Sequence, residues 1–108
     1  MTPPTFCSRF HRAIELVGGR WTGAVLRAML DGETRYAEIR GAIDGISDTM
    51  LAQRLRELEA EGLVERQVQP TTPVRVEYHL TEKGRAVEPV LDALGHWAED
   101  WVEAPQTA

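Results

Sequence analysis

The chain has 108 residues, 43% hydrophobic and 27% charged, with 12 basic and 17 acidic side chains and a formal net charge of −5. That length supports one core, and the apolar fraction and three tryptophans exclude intrinsic disorder. No apolar run approaches the ~20 residues of a membrane span, the start Met1-Thr2-Pro3-Pro4 lacks a secretory signal pattern, and a single cysteine forms no intrachain disulfide. The expectation is one domain, residues 1–108, in the reducing cytoplasm, with no membrane partner.

In chain order, Cys7, Phe10, Ile14 and Val17 recur at helical spacing, and Gly18-Gly19 stops that helix. A second helix is predicted from about Trp21 to Leu30, with Trp21, Val25, Leu26, Met29 and Leu30 on one face. Tyr36, Ile39 and Ile43 mark a short third helix before the breaker Asp44-Gly45. The fourth helix is the best specified. Ser47 suits the N-cap, Asp48 favours the positive end of the dipole, and Ile46 can staple onto Leu51. Leu51, Leu55 and Leu58 form its apolar stripe, Gly62 its stop, and the opposite face carries Thr49, Gln53 and Arg56, with Arg54 to one side.

After Gly62 the period changes to two. Leu63 to Val68 reads as a strand, and Val74, Val76, Tyr78 and Leu80 alternate with Arg75, Glu77 and His79 in a second, half-buried one. Gln69-Pro70-Thr71-Thr72-Pro73 between them is too long for a two-residue hairpin turn. Thr81 can cap a last helix in which Val87, Leu91, Leu94, Ala98 and Trp101 share a face, kinked or broken near its start by Pro89.

A short helix joined by a three-residue, glycine-containing turn to a longer one is a helix-turn-helix, and a hairpin directly after it makes the motif winged. The predicted fold is mainly α with a small antiparallel β wing. The helix-turn-helix covers about 35–62, the wing about 63–80 and a C-terminal dimerisation helix about 81–103. Such a longer helix enters a major groove by its N-terminal half while the wing reaches neighbouring phosphates. That half offers Ser47, Thr49, Gln53 and Arg54, small or donor-bearing groups suited to base edges.

The net charge alone argues against nucleic acid. Its whole excess, however, lies in residues 86–108, which hold Glu88, Asp92, Glu99, Asp100 and Glu103 and neither Lys nor Arg. The remainder balances 12 basic against 12 acidic residues, and eleven of the twelve cations are arginine, the better bidentate partner for phosphate and base edges.

Several segments resemble the HxlR-type winged-helix transcriptional regulators, relatives of the MarR group. They are Gly18-Gly19-Arg20-Trp21-Thr22, Arg35-Tyr36-Ala37-Glu38-Ile39, Gly45-Ile46-Ser47-Asp48-Thr49-Met50-Leu51 and Gln53-Arg54-Leu55-Arg56-Glu57-Leu58-Glu59. Gly62-Leu63-Val64, Pro73, Val76-Glu77-Tyr78, Leu80-Thr81, Gly84 and Trp97 continue the match, which covers roughly residues 7–97. The resemblance implies a homodimer that binds a pseudo-palindromic double-stranded operator and regulates adjacent genes, often under redox or electrophile control, and a repressor is the expected form. It implies dimerisation through the first and last helices, here Phe10 with Leu91, Leu94, Trp97 and Trp101. The apolar area of the last helix, more than one small core easily absorbs, agrees.

The expected DNA contacts are Ser47, Thr49, Gln53, Arg54, Arg56 and, at the far side of the wing, Arg75. Ser47 reads equally as a helix cap. Cys7 lies at a helix start beside Arg9, His11 and Arg12, which favours a thiolate, and it shares the Phe10/Ile14/Val17 stripe, which suits a buried hydrophobe. The resemblance implies a sensor cysteine there, answering a small electrophile or oxidant, although Ser8 stands where many members have proline. Cys7 and His11 alone make no metal site, and the chain shows no phosphate-binding glycine loop or catalytic constellation, so neither cofactor nor enzyme is expected. Two alternatives remain open: a winged-helix protein–protein module without DNA, and a regulator whose ligand pocket is lined by Trp97 or Trp101 while Cys7 is inert.

Overall fold

Residues 8–104 of the chain are described in the structure, a computed structural model. Helix α1 (Ser8–Val17) ends as Gly18 donates its N–H to the Ile14 carbonyl, and Gly19 to Trp21 turn the chain into α2 (Thr22–Leu30). Helix α3 (Tyr36–Gly41) opens with the Glu38 carboxylate accepting the Arg35 N–H at 3.2 Å, which satisfies a donor the helix leaves unpaired. Helix α4 (Asp48–Ala60) follows, then β1 (Val64–Gln69), β2 (Arg75–Leu80), α5 (Glu82–Arg85) and α6 (Glu88–Trp101).

The core is the intersection of these apolar stripes. Val25, Leu26 and Met29 of α2 meet Ile39 of α3, Leu51, Leu55 and Leu58 of α4, and Leu63 and Val64 where the wing begins. Ile43 and Ile46 flank the turn between α3 and α4 and are buried in the same cluster, as is Leu51, the expected staple partner of Ile46. β1 and β2 pair antiparallel in a register from Val64 opposite Leu80 to Gln69 opposite Arg75. At its base the wing is tied twice: the Tyr78 N–H donates to the Thr34 carbonyl at 2.7 Å, and the Thr81 N–H to the Leu63 carbonyl at 2.9 Å. The chain just beyond the wing also closes the end of α4. The Thr81 hydroxyl donates to the Gly62 carbonyl at 2.6 Å and Lys83 Nζ to the Glu61 carbonyl at 2.5 Å, covering acceptors that a helix end leaves open.

The single last helix expected from residue 81 is in fact two. Thr81 caps α5, its Oγ1 accepting the Gly84 N–H at 3.1 Å, but Ala86 and Val87 break the run and α6 restarts at Glu88 with Pro89 in its first turn. Proline lacks the N–H a continuing helix would use, and the first turn is where that loss is harmless. The apolar face expected of that helix also divides. Val87 and Leu91 pack against the core, whereas Val90, Leu94, Trp97 and Trp101 follow one another along the outer side and stand more than half exposed. Arg27 on α2 holds α6 in place through Asp92 at 2.9 Å and Glu88 at 3.5 Å.

Gly84 is buried where α5 crosses the start of the wing, and a methyl there would penetrate the Leu63 carbonyl and crowd Leu80. Gly84→Ala is therefore expected to destabilise the protein by about 2 kcal/mol or more, read from urea unfolding midpoints. Gly23→Ala, at a helical site with open space around it, serves as the neutral comparison.

Candidate nucleic-acid interface

The N-terminal end of α4 is fixed from three sides. Ser47 is its N-cap, the hydroxyl accepting the Met50 N–H at 3.1 Å, as its sequence position suggests. The Tyr36 hydroxyl at the start of α3 donates to the Asp48 carbonyl at 2.7 Å, and Arg40 Nε lies 3.1 Å from Asp48 Oδ1. Between the helices, Gly45 takes φ 84, a left-handed conformation that glycine adopts without steric cost. Burial raises the Tyr36 phenol pKa above its ordinary value, and the neighbouring Asp48 carboxylate adds to the effect.

With Leu51, Leu55 and Leu58 turned inward, Thr49, Gln53 and Arg56 fall on one exposed stripe. Gln53 Nε2 donates to Glu57 Oε1 at 3.3 Å, a long bond that leaves the amide accessible. Among the described residues no hydrogen bond or ion pair engages the side chains of Arg56, or of Arg66 and Arg75 on the wing, and all three are exposed. Arg75 occupies the last rung before the loop, opposite Gln69. Arg66 stands opposite Tyr78 on the other side of the ribbon, so each face of the wing shows one arginine.

Arg66 is absent from the residues singled out on sequence. Its placement depends on the strand register, which a loop of five residues leaves open. Arg54 departs from expectation the other way. Its side chain is 16% exposed, with Nε donating to the Arg20 carbonyl at 2.7 Å and Nη1 to Glu57 Oε2 at 2.7 Å. The flank of α4 that carries it lies against the α1–α2 turn, whose Arg20 carbonyl supplies the acceptor, so Arg54 points into the protein.

Two of the acids on and just beyond α4 are likewise engaged, while Glu59 on α4 stands exposed without an ion-pair partner. Glu57 binds Arg54 and Gln53, and Glu61 pairs with Arg12 of α1. Arg56, Arg66 and Arg75 are thus exposed cations without ion-pair partners on the outer face of α4 and the wing, as Arg9, Arg20, Arg35, Lys83 and Arg85 are elsewhere among the described residues.

A second exposed surface is apolar. Phe10 and Ile14 on α1 and Leu94 and Trp97 on α6 are each more than half exposed, and Trp101 is 75% exposed. Leu91, expected with them, is half-buried against the protomer's own core. Trp21 packs into that core as well. Cys7 lies outside the described residues, and His11 sits 3.1 Å from Glu15 one turn along α1. Among the described residues no group of His, Cys, Asp and Glu could hold a metal ion, and no helix is long and apolar enough to cross a membrane.

Comparison with known proteins agrees with this architecture. The HxlR-like helix-turn-helix family model matches residues 16–106. The chain is 45% identical over 103 residues to the HTH-type transcriptional regulator YodB of Bacillus subtilis, covering 95% of this chain and 92% of that one. Against YvaP, an uncharacterized HTH-type regulator of the same organism, identity is 41% over 103 residues, with 95% of both chains covered. The reduced form of YodB superposes with a TM-score of 0.82 over 94% of this chain and all of the other, at 43% identity. YodB structures also include diamide-treated and quinone-bound forms. The redox regulator HypR in its oxidized form gives a TM-score of 0.80 over 89% of this chain and 99% of that one, at 38% identity.

Because Tyr36 holds its proton more tightly folded than unfolded, its stabilisation is complete below the unfolded pKa of about 10 and lost as pH rises through the higher folded value. Tyr36→Phe is expected to lose about 1 kcal/mol at pH 7 with the Asp48 bond, and to decline less than the wild type in thermal melts between about pH 9 and 11.

Proposed function

The chain belongs to the HxlR-like helix-turn-helix family of transcriptional regulators, and on that premise we propose that it is a dimeric repressor acting on a pseudo-palindromic DNA operator. One observation carries this reading. The outward stripe of α4 ends in an arginine without an ion-pair partner, the wing adds two more, and the nearby acids Glu57 and Glu61 are tied to internal partners.

In the proposed complex, residues 1–108 act as one winged unit: the helix-turn-helix at about 35–62, the wing at about 63–80, and the C-terminal segment at about 81–103 serving dimerisation. Thr49, Gln53 and Arg56 face base edges, and Ser47 adds a phosphate contact beside its capping role. Arg66 and Arg75 meet phosphates on either side of the wing. Phe10, Leu94, Trp97 and Trp101 form the self-complementary patch of a two-fold dimer, supported by their exposure on α1 and α6. Such a dimer sets its recognition helices about 34–36 Å apart, one turn of duplex. The protein works in the cytoplasm and regulates without catalysing.

Control by a small electrophile or oxidant acting on Cys7 is the proposed input, supported by relatives whose structures are named as reduced, oxidized, diamide-treated and quinone-bound. The thiolate adds to an electrophilic carbon, or is oxidised to a mixed or intersubunit disulfide. Operator release on quinone treatment that persists undiminished in Cys7→Ser protein would remove Cys7 from the mechanism.

The decisive experiment selects duplexes from a random pool and titrates the winners against salt. Steep salt dependence is the expected result, and weak, salt-independent retention would favour a protein-binding module instead. Arg56→Ala should weaken the selected duplex by about tenfold, while Arg66→Ala and Arg75→Ala each lower the salt slope by about one unit. A Leu94→Asp, Trp101→Glu double variant should sediment as a monomer in analytical ultracentrifugation.

A further inference from the structure

The α1–α2 turn meets helix α4 at Arg54 and the turn leading into that helix at Gly45. Trp21 holds a left-handed backbone with φ 72, which a bulky side chain keeps only where its surroundings fix it. Its indole packs on the core and reaches the α3–α4 turn, with Cη2 3.7 Å from where a Cβ on Gly45 would sit. The Arg20 guanidinium lies 5.6 Å from the centre of the same ring. From this turn the Arg20 carbonyl accepts the Arg54 Nε–H at 2.7 Å, and Arg54 Nη1 grips Glu57 Oε2 at 2.7 Å. The other oxygen of Glu57 accepts the Gln53 amide. The guanidinium thus bridges a backbone carbonyl and a carboxylate through two nitrogens in one plane, a span that a lysine ammonium does not reproduce.

We infer that Arg54 is a positioning residue for DNA recognition, fixing with Trp21 how α4 presents Thr49, Gln53 and Arg56, and that it makes no contact with DNA itself. The inference rests on the DNA-binding reading of α4. Trp21 locates the N-terminal end of the helix through Gly45. Arg54 locates its middle, and Glu57 passes that constraint to the Gln53 side chain. A helix loosened at Arg54 loses base contacts, which demand geometry, and keeps its general attraction for phosphates, which does not.

The test uses full-length protein, a duplex that the wild type selects from a random pool, and a scrambled duplex of equal composition. Arg54→Lys keeps the charge, and is expected to bind the selected duplex about tenfold more weakly with the salt slope and scrambled-duplex affinity unchanged. Glu57→Gln discriminates by the ratio of the two affinities. Removing that carboxylate frees Arg54 and deletes a negative charge, so a phosphate-contacting Arg54 would bind both duplexes more tightly. The positioning role instead predicts a fall in the ratio of selected- to scrambled-duplex affinity, whereas a phosphate-contacting Arg54 leaves that ratio unchanged. Circular dichroism and melting curves confirm that each variant is folded.

An unchanged selected-to-scrambled affinity ratio in Glu57→Gln, full activity of Arg54→Lys, or a loss of about one unit of salt slope in Arg54→Ala on both duplexes overturns the inference. A wild type that selects no duplex overturns the DNA-binding reading itself. Selection by the wild type with indifferent variants overturns the positioning role alone.

Discussion

The exposed surface of α4 depends on the burial of three leucines. Leu51, Leu55 and Leu58 are almost wholly removed from solvent against α2 and the start of the wing, and each such side chain contributes roughly 1.5–3 kcal/mol of hydrophobic stabilisation. Because the α-helix repeats every 3.6 residues, burying 51, 55 and 58 forces 49, 53 and 56 to the opposite side. Polar side chains there need no packing partner within the protein. The cap at Ser47 and the Tyr36–Asp48 bond then fix where that stripe begins.

Charge is organised by the same division between inside and outside. A chain with a net charge of −5 presents little general attraction for a polyanion. What matters at a contact surface is which charges are already committed. Arg12, Arg27, Arg40 and Arg54 are occupied by Glu61, by Asp92, Asp31 and Glu88, by Asp48, and by Glu57 respectively. The exposed pairs among these add little stability, but the Arg12, Arg40 and Arg54 pairs partly neutralise acids on and beside α4. Arg56 on α4 and Arg66 and Arg75 on the wing are among the cations left without such a partner.

Helices α1 and α6 follow a different logic. No residue of α1 is buried, and Leu16 is its half-buried anchor on the protomer's core. Two apolar stripes run along α6, one satisfied within the protomer and one left open. An exposed apolar stripe of this length on α6 costs hydration that burial against another apolar surface would relieve.

By itself the sequence determines the local structure wherever one residue's chemistry suffices. The Ser47 cap, the leucine stripe, the Gly45 and Gly62 turns and the break near Pro89 are legible, because caps, periodicities and breakers act over a few neighbouring residues, whereas Val76 to Leu80 of β2 are all half-buried and do not alternate as their sequence suggests. Tertiary structure decides what depends on residues far apart in the chain. It assigns Leu91 to the core and Leu94 to the surface, although both fit one apolar face, because only packing against α2 separates the two stripes. It sets Arg66 and Arg75 on opposite faces of the wing through a register that the loop does not specify. Above all it turns Arg54 inward, since the carbonyl that receives it belongs to Arg20, 34 residues away, in a turn whose left-handed Trp21 no local pattern announces.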